Sequence, residues 1–291
     1  MSAMKYRSRS QFLFQSLASF WLVILVLIPL VYVLVLSFLT KGTYGGVVWA
    51  PSLTSYGKLL DPEYASLFSL VFLRSFLLAG ITTVLCLLVG YPFALFLVFR
   101  AGRWKALFFV LLVIPFWTNF LIRTYAWFAL LSDNGWLITL ARWFSPDLES
   151  LGILFTPTAV YLGMLYNYLP FMAMTLYLNL EKIDGRLLEA AHDLGAGRYI
   201  TFLKVLLPLS YPGIVAGSIL VFIPALGEFV IPDILGGGRE VYIGNLLTQQ
   251  FLTSRNWPLG SAVSVILLVL ILGIMWGLQK YQKSKNVELI L

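Results

Sequence analysis

A chain of 291 residues that is 60% hydrophobic and 11% charged, with a mean hydropathy of +0.89, holds more apolar surface than one water-facing core can hide; soluble domains run at about 45–50% apolar and about 25% charged. That excludes an ordinary soluble enzyme and makes lipid the natural solvent. One cysteine (Cys86) and one histidine (His192) exclude an intrachain disulfide and a Cys- or multi-His metal site, and the formal charge of +7 is sorted between alternate loops, as a topology signal rather than a nucleic-acid patch.

Lys5, Arg7 and Arg9 precede an apolar run at 17–39. The run is longer than the 7–15 residues of roughly any signal-peptide core, and no small-residue cleavage site follows, so it reads as an uncleaved first span. Further runs long enough for a hydrocarbon layer about 30 Å thick lie at 71–99, 106–131, 155–180, 205–231 and 259–278. Pro29, Pro92, Pro115, Pro170, Pro212 and Pro224 interrupt them, as membrane helices tolerate when neighbours satisfy the freed carbonyls. Gly80, Gly90, Gly163, Gly213 and Gly217 permit close helix approach. The expected fold is an all-α integral membrane protein with six transmembrane helices.

Thirteen Lys and Arg fall in the N-terminal tail, the 100–105 turn, the 181–204 loop and the C-terminal tail, against six in the alternate loops. The positive-inside rule then predicts that both termini are cytoplasmic. The expected organisation is a tail, first span and outer loop over 1–67, a five-helix core over 68–280, and a cytoplasmic tail over 281–291. The outer loops 40–69 and 232–258 either dock a soluble delivery protein or pack over the bundle. Trp136 and Trp143 mark a short interfacial helix within 132–154.

The 184–197 segment lies on the positive side. Asp184 is a helix-start residue, and Gly195 or Gly197 a helix stop. Between them Ile183, Leu187, Ala190 or Ala191, and Leu194 form one apolar stripe, while Arg186, Glu189, His192 and Asp193 occupy the other face. The small central alanines suit insertion into a groove of another protein. Resting on lipid headgroups suits it less, because acids outnumber bases and bulky aromatics are missing from the stripe.

Glu189-Ala190-Ala191, three residues, Gly195, nine residues, then Val205-Leu206-Leu207-Pro208 resembles the EAA signature of bacterial ABC-importer permeases, with Val205 in place of the usual Ile. The resemblance implies a MetI-like type I importer permease fold. It further implies that Asp184, Leu187, Leu188, Glu189, Ala190, Ala191, Leu194 and Gly195 form a coupling helix seated in a cytoplasmic ATPase. The implied partners are an ATPase dimer, a second permease subunit, a periplasmic substrate-binding protein and the lipid bilayer. ATP and Mg would be bound by the ATPase; Gly236-Gly237-Gly238 lacks the Lys-Ser/Thr of a phosphate loop.

Several further strings resemble the spermidine/putrescine (PotB-like) permease subgroup. They are Pro115-Phe116-Trp117-Thr118-Asn119 running on to Trp127, Tyr166-Asn167-Tyr168, Pro224-Ala225-Leu226-Gly227-Glu228 running on to Asp233, and Ile243-Gly244-Asn245. Opine and other amine importers look similar. Apart from Arg74 at the outer end of 71–99, counted above with the outer loops, two charges fall inside the predicted spans, Arg123 and Glu228, and intramembrane charges are functional by default. A polycation crossing a low-dielectric gap needs a counter-charge, which Glu228 and Asp233 supply. Trp117, Tyr125, Trp127, Tyr166 and Tyr168 offer π faces, and Asn119 and Asn167 neutral acceptors. Two arrangements stay open for Glu228, a place on the route or an ion pair with Arg123; Arg123 itself suits a gating or structural role. An ion-coupled secondary transporter would show inverted hydropathy repeats, and a membrane enzyme would cluster His, Asp or Glu at one depth. Neither pattern is evident here.

Overall fold

The structure, a computed structural model, describes residues 9–284; Lys5, Arg7 and residues 285–291 of the expected cytoplasmic tail lie outside that range. In chain order, α1 (Arg9–Ser37) leads into a two-stranded antiparallel hairpin, β1 (Leu39–Lys41) and β2 (Val47–Pro51), then α2 (Thr54–Leu60) and α3 (Pro62–Phe99). The third expected span is α4 (Lys105–Val113) plus α5 (Phe120–Leu131), followed by α6 (Trp136–Arg142) and α7 (Pro157–Leu180). Next come α8 (Arg186–Asp193), α9 (Arg198–Thr201), α10 (Leu207–Leu226) and α11 (Val230–Gly236), and finally α12 (Ile243–Thr248) and α13 (Trp257–Ser284). The hairpin is the one departure from an all-helical plan among the described residues.

Two expected spans are broken. The run at 106–131 ends in a 3-10 turn, Ile114–Trp117, and the arms Gly102–Trp117 and Phe120–Arg142 meet at 99°. Local chemistry explains the break. Pro115 has no N–H to donate, the Thr118 hydroxyl donates to the Pro115 carbonyl (2.6 Å), and Asn119 Oδ1 accepts the Leu121 N–H (2.8 Å) to start the second arm. The run at 205–231 stops at Leu226, and a separate short helix restarts at Val230. Glu228 therefore stands in a helix break rather than within a span.

Four helices among the described residues are long and apolar enough to cross a membrane, or five if the bent pair counts as one crossing. Helix α7 is also long enough, at 24 residues or about 36 Å, but Tyr161, Tyr166, Asn167, Tyr168 and Asn179 dilute its apolar character. It is nevertheless the helix on which the core is built.

The described backbone divides into two compact units, one within residues 9–67 and 246–274, the other within 68–245 and 275–284. In the first, α1 is apolar on every side and almost wholly exposed from Ser19 to Ser37; Leu25 is 66% and Ile28 60% exposed. A helix apolar all round needs a non-aqueous surround. Tyr56 donates to Ser37 Oγ (2.9 Å), and the Gly46 N–H donates to the Arg255 carbonyl (2.8 Å), tying the hairpin turn to the loop ahead of α13. Gly45, at φ +91°, lies so close that a Cβ would stand 2.6 Å from Arg255 Cβ.

In the second unit α7 packs against α10, α11 and α5. Glycines permit the closest approaches. A Cβ at Gly90 on α3 would lie 3.2 Å from Met172 Cγ, and one at Gly217 on α10 would lie 2.7 Å from Met172 Sδ. Met172, Ala173, Leu176 and Leu180 are fully buried on this face of α7, as small-residue membrane interfaces require.

Candidate coupling helix and translocation path

Helix α8 begins where Asp184 Oδ1 accepts the Arg186 N–H (3.0 Å). It ends in a Schellman motif. The Gly195 N–H donates to the His192 carbonyl (2.9 Å) and the Ala196 N–H to the Ala191 carbonyl (3.0 Å), with Gly195 at φ +83°. That φ explains why the spacing from Glu189 must end on a glycine, since a Cβ is strained there. None of the eight residues of α8 is buried. Leu188 and Ala191 are half-buried toward the protein, whereas Leu187 is 49% and Leu194 88% exposed. Glu189, Ala190 and Gly195 are exposed too. Among the described residues, Leu187 and Leu194 of the apolar stripe are thus left largely uncovered, while Ile183 and Ala191 are partly covered.

Helix α8 packs on α9 and on the π turn Phe202–Leu206 that opens α10. Pro208 lacks an N–H, so the Lys204 carbonyl has no partner four residues on. The π turn, closed by the Leu207 N–H on the Phe202 carbonyl, accommodates the shift. Beside it, a groove of about 570 Å³ runs between α7 and α10, with Asn179, Lys182, Asp184, Leu187, Pro212 and Gly213 in its walls. Near its rim Lys105 and Glu181 make an ion pair (2.6 Å), the one ion pair among the described residues. The ammonium holds the Glu181 carboxyl below the usual carboxylate range.

The structure does not pair Arg123 with Glu228, so of the two arrangements the ion pair is not the one adopted. Glu228 Oε1 instead accepts three backbone N–H groups, from Phe229 (3.1 Å), Val230 (2.9 Å) and Ile231 (3.3 Å), while Oε2 accepts the Tyr168 hydroxyl (2.9 Å). The carboxylate caps α11, and backbone dipoles offset its charge. Arg123 lies over Phe116 (4.9 Å) and Phe120 (6.0 Å), with Nε and Nη1 buried and without an acceptor. Between the two charges runs an aromatic bridge: Tyr168 meets Phe171 (6.4 Å), and Phe171 meets Phe116 edge-on (4.9 Å).

The remaining predicted residues divide. Trp127 and Tyr166 meet in a T-shaped contact (5.5 Å). Asn167 is buried, with Nδ2 donating to the Gly163 carbonyl (2.9 Å) and Oδ1 unpartnered. Trp117 is 87% and Tyr125 58% exposed, away from that pair. Asn119 serves its helix start. Asp233 receives the Asn245 amide (2.6 Å), and burial raises its carboxyl above the ordinary range. Asn245 also donates to the Phe229 carbonyl (3.4 Å) and accepts the Tyr242 N–H (3.2 Å), clamping α11. Sequence reasoning passed over this clamp; its signal was an amide within Ile243-Gly244-Asn245, a stretch otherwise without hydrogen-bonding side chains. It also passed over the buried pair Tyr91 and Ser210, polar groups within predicted spans.

An exposed, Gly-stopped α8 opening directly onto a long apolar helix is the arrangement the EAA spacing anticipates. Residues 87–284 match the family of binding-protein-dependent transport system inner membrane components. The chain belongs to this family. It is accordingly an inner-membrane component of a transport system and not an enzyme. As a member, it is 43% identical over 272 residues to the spermidine/putrescine transport system permease protein PotB of Escherichia coli K12, covering 92% of this chain and 97% of that one. The PotB protein of Haemophilus influenzae is 42% identical over 266 residues, covering 91% and 92%. Among solved structures, a chain of a bacterial alginate ABC transporter in complex with a periplasmic protein superposes with a TM-score of 0.70 at 15% identity, covering 96% of each chain. A chain of the MetNI methionine ABC transporter gives 0.55 at 20% identity, covering 77% of this chain and 98% of that one. At such identities the superpositions establish the shared MetI-like permease fold.

Proposed function

We propose that this chain is one of two permease subunits of an ATP-driven importer for polyamines, spermidine or putrescine. The observation that carries the substrate class is the 43% identity to PotB along 92% of the chain. The chemistry of the path agrees with it. Glu228 Oε2 keeps lone-pair capacity beyond the Tyr168 hydrogen bond, and the exposed Trp117 and Tyr125 rings offer π faces, each worth about 0.5–2 kcal/mol to an ammonium group.

In this reading α8 seats in a groove of a cytoplasmic ATPase, which binds ATP and Mg. Closure of two ATPases draws the two coupling helices together and opens the permease pair to the periplasm; hydrolysis returns the path to the cytoplasm. A substrate-binding protein delivers its cargo to the outer loops. Six crossings with both termini in the cytoplasm, α7 and the bent pair each counted once, place α8 on the ATPase side. Arg123 gates or braces the path without touching the cation.

The test is ATP hydrolysis by the reconstituted complex, driven by its binding protein loaded in turn with amines, sugars and anions. Stimulation by spermidine or putrescine is expected. Stimulation by a sugar or an anion, with none by amines, overturns the substrate assignment.

A further inference from the structure

Tyr91 lies in α3 and is 7% exposed; Ser210 lies one turn into α10 and is fully buried. Their hydroxyls are 2.7 Å apart, and Ser210 Oγ is 3.0 Å from the Leu207 carbonyl. Serine has one proton to give. It goes to that carbonyl, so Tyr91 donates to Ser210. The Tyr91 ring also stands edge-on to Phe202 (5.9 Å), the first residue of the π turn. One side chain of α3 thereby grips both ends of the irregular segment that joins the α8 arm to α10.

The placement matters because a π turn followed by Pro208 is a compliant point between α9 and α10, ahead of the further prolines Pro212 and Pro224 within α10. Above it, α10 is locked to α7 through Gly213 against Asn179 and Gly217 against Met172. Below it, α8 and α9 pack on the turn itself. A push on α8 either travels into the helical core or is absorbed by bending at 202–208. We propose that Tyr91 is a positioning residue of the transport cycle, holding the π turn through Ser210 and Phe202 so that displacement of α8 moves α10 and α3 together. This rests on reading α8 as the ATPase-docking helix.

The experiment uses the whole complex in proteoliposomes with its binding protein and spermidine, measuring co-purified ATPase subunit, ATP hydrolysis and uptake separately. Tyr91→Phe removes one hydroxyl and keeps the ring; Ser210→Ala removes the acceptor; Ser210→Thr keeps it. Tyr91→Phe and Ser210→Ala are expected to retain the ATPase subunit and ATP hydrolysis while uptake per ATP falls roughly tenfold, the scale of one buried hydrogen bond. The double variant falls no further than either single, and Ser210→Thr restores uptake. Parental uptake per ATP in Tyr91→Phe overturns the proposal, as does an uptake loss that only tracks the amount of assembled complex. If Ser210→Ala fails to assemble, Tyr91→Phe decides alone. Glu189→Arg tests the underlying reading separately: it should shed the ATPase subunit, and full retention removes α8 from that role whatever Tyr91→Phe does.

Discussion

Glu228 shows how little of a charge's role lies in its identity. Its place near the end of an apolar run marked it as functional, but its partners depend on a helix break after Gly227 that presents three N–H groups to one oxygen. No spacing rule announces such a break. Glu228→Gln keeps a carbonyl oxygen for those N–H groups, and the Tyr168 hydroxyl can turn to accept from the new amide, so α11 keeps its start while the negative charge is lost. Spermidine uptake is expected to fall about tenfold or more, as for a counter-charge worth at least one charge-assisted hydrogen bond, with the ATPase subunit still bound. Undiminished uptake takes Glu228 off the path. By contrast, a glycine stop after α8 was legible as Gly195 or Gly197, and the left-handed backbone at Gly195 decides between them.

At the scale of elements, caps and long apolar runs were readable, and breaks were not. Pro115 was read as a tolerated interruption, yet Thr118 and Asn119 beside it supply a competing hydroxyl bond and a new helix start, which together turn the chain by 99°. The hairpin at 39–51 was missed although Gly42, Gly45 and Gly46 mark its turn; the bond from Gly46 to Arg255, more than 200 residues away, is the part that no local pattern announces. The α7–α10 contact, on the other hand, was foreshadowed by Gly213 and Gly217. A Cβ at Gly213 would stand 2.5 Å from Asn179 Cβ, whereas at Gly273 on α13 it meets nothing within 4 Å. Gly213→Leu should therefore destabilise by about 1–3 kcal/mol through overpacking, seen as a lower midpoint when the detergent-purified complex is heated. Gly273→Leu should leave the midpoint in place. Equal midpoints for the two variants contradict the tight seam.

For the whole molecule, orientation is the assertion with the widest reach, since it decides which solution each loop meets. The single native thiol, Cys86, is fully buried and gives a silent background for sided labelling. Tyr44 is 98% and Leu194 88% exposed. An impermeant maleimide added to spheroplasts should label Tyr44→Cys and spare Leu194→Cys, with the pattern reversed on inverted vesicles stripped of the ATPase subunit. Labelling of Leu194→Cys from outside inverts the topology and removes α8 from the ATPase side.

Helix α7 carries more tyrosine and asparagine than the other long helices, and nearly half of its residues are buried, Asn167 among them. During synthesis it leaves the ribosome before the segment that will cover it. Lipid is a poor holding place for an asparagine oxygen with no donor, so the nascent chain gains by keeping α7 beside the insertion machinery until α10 has been made.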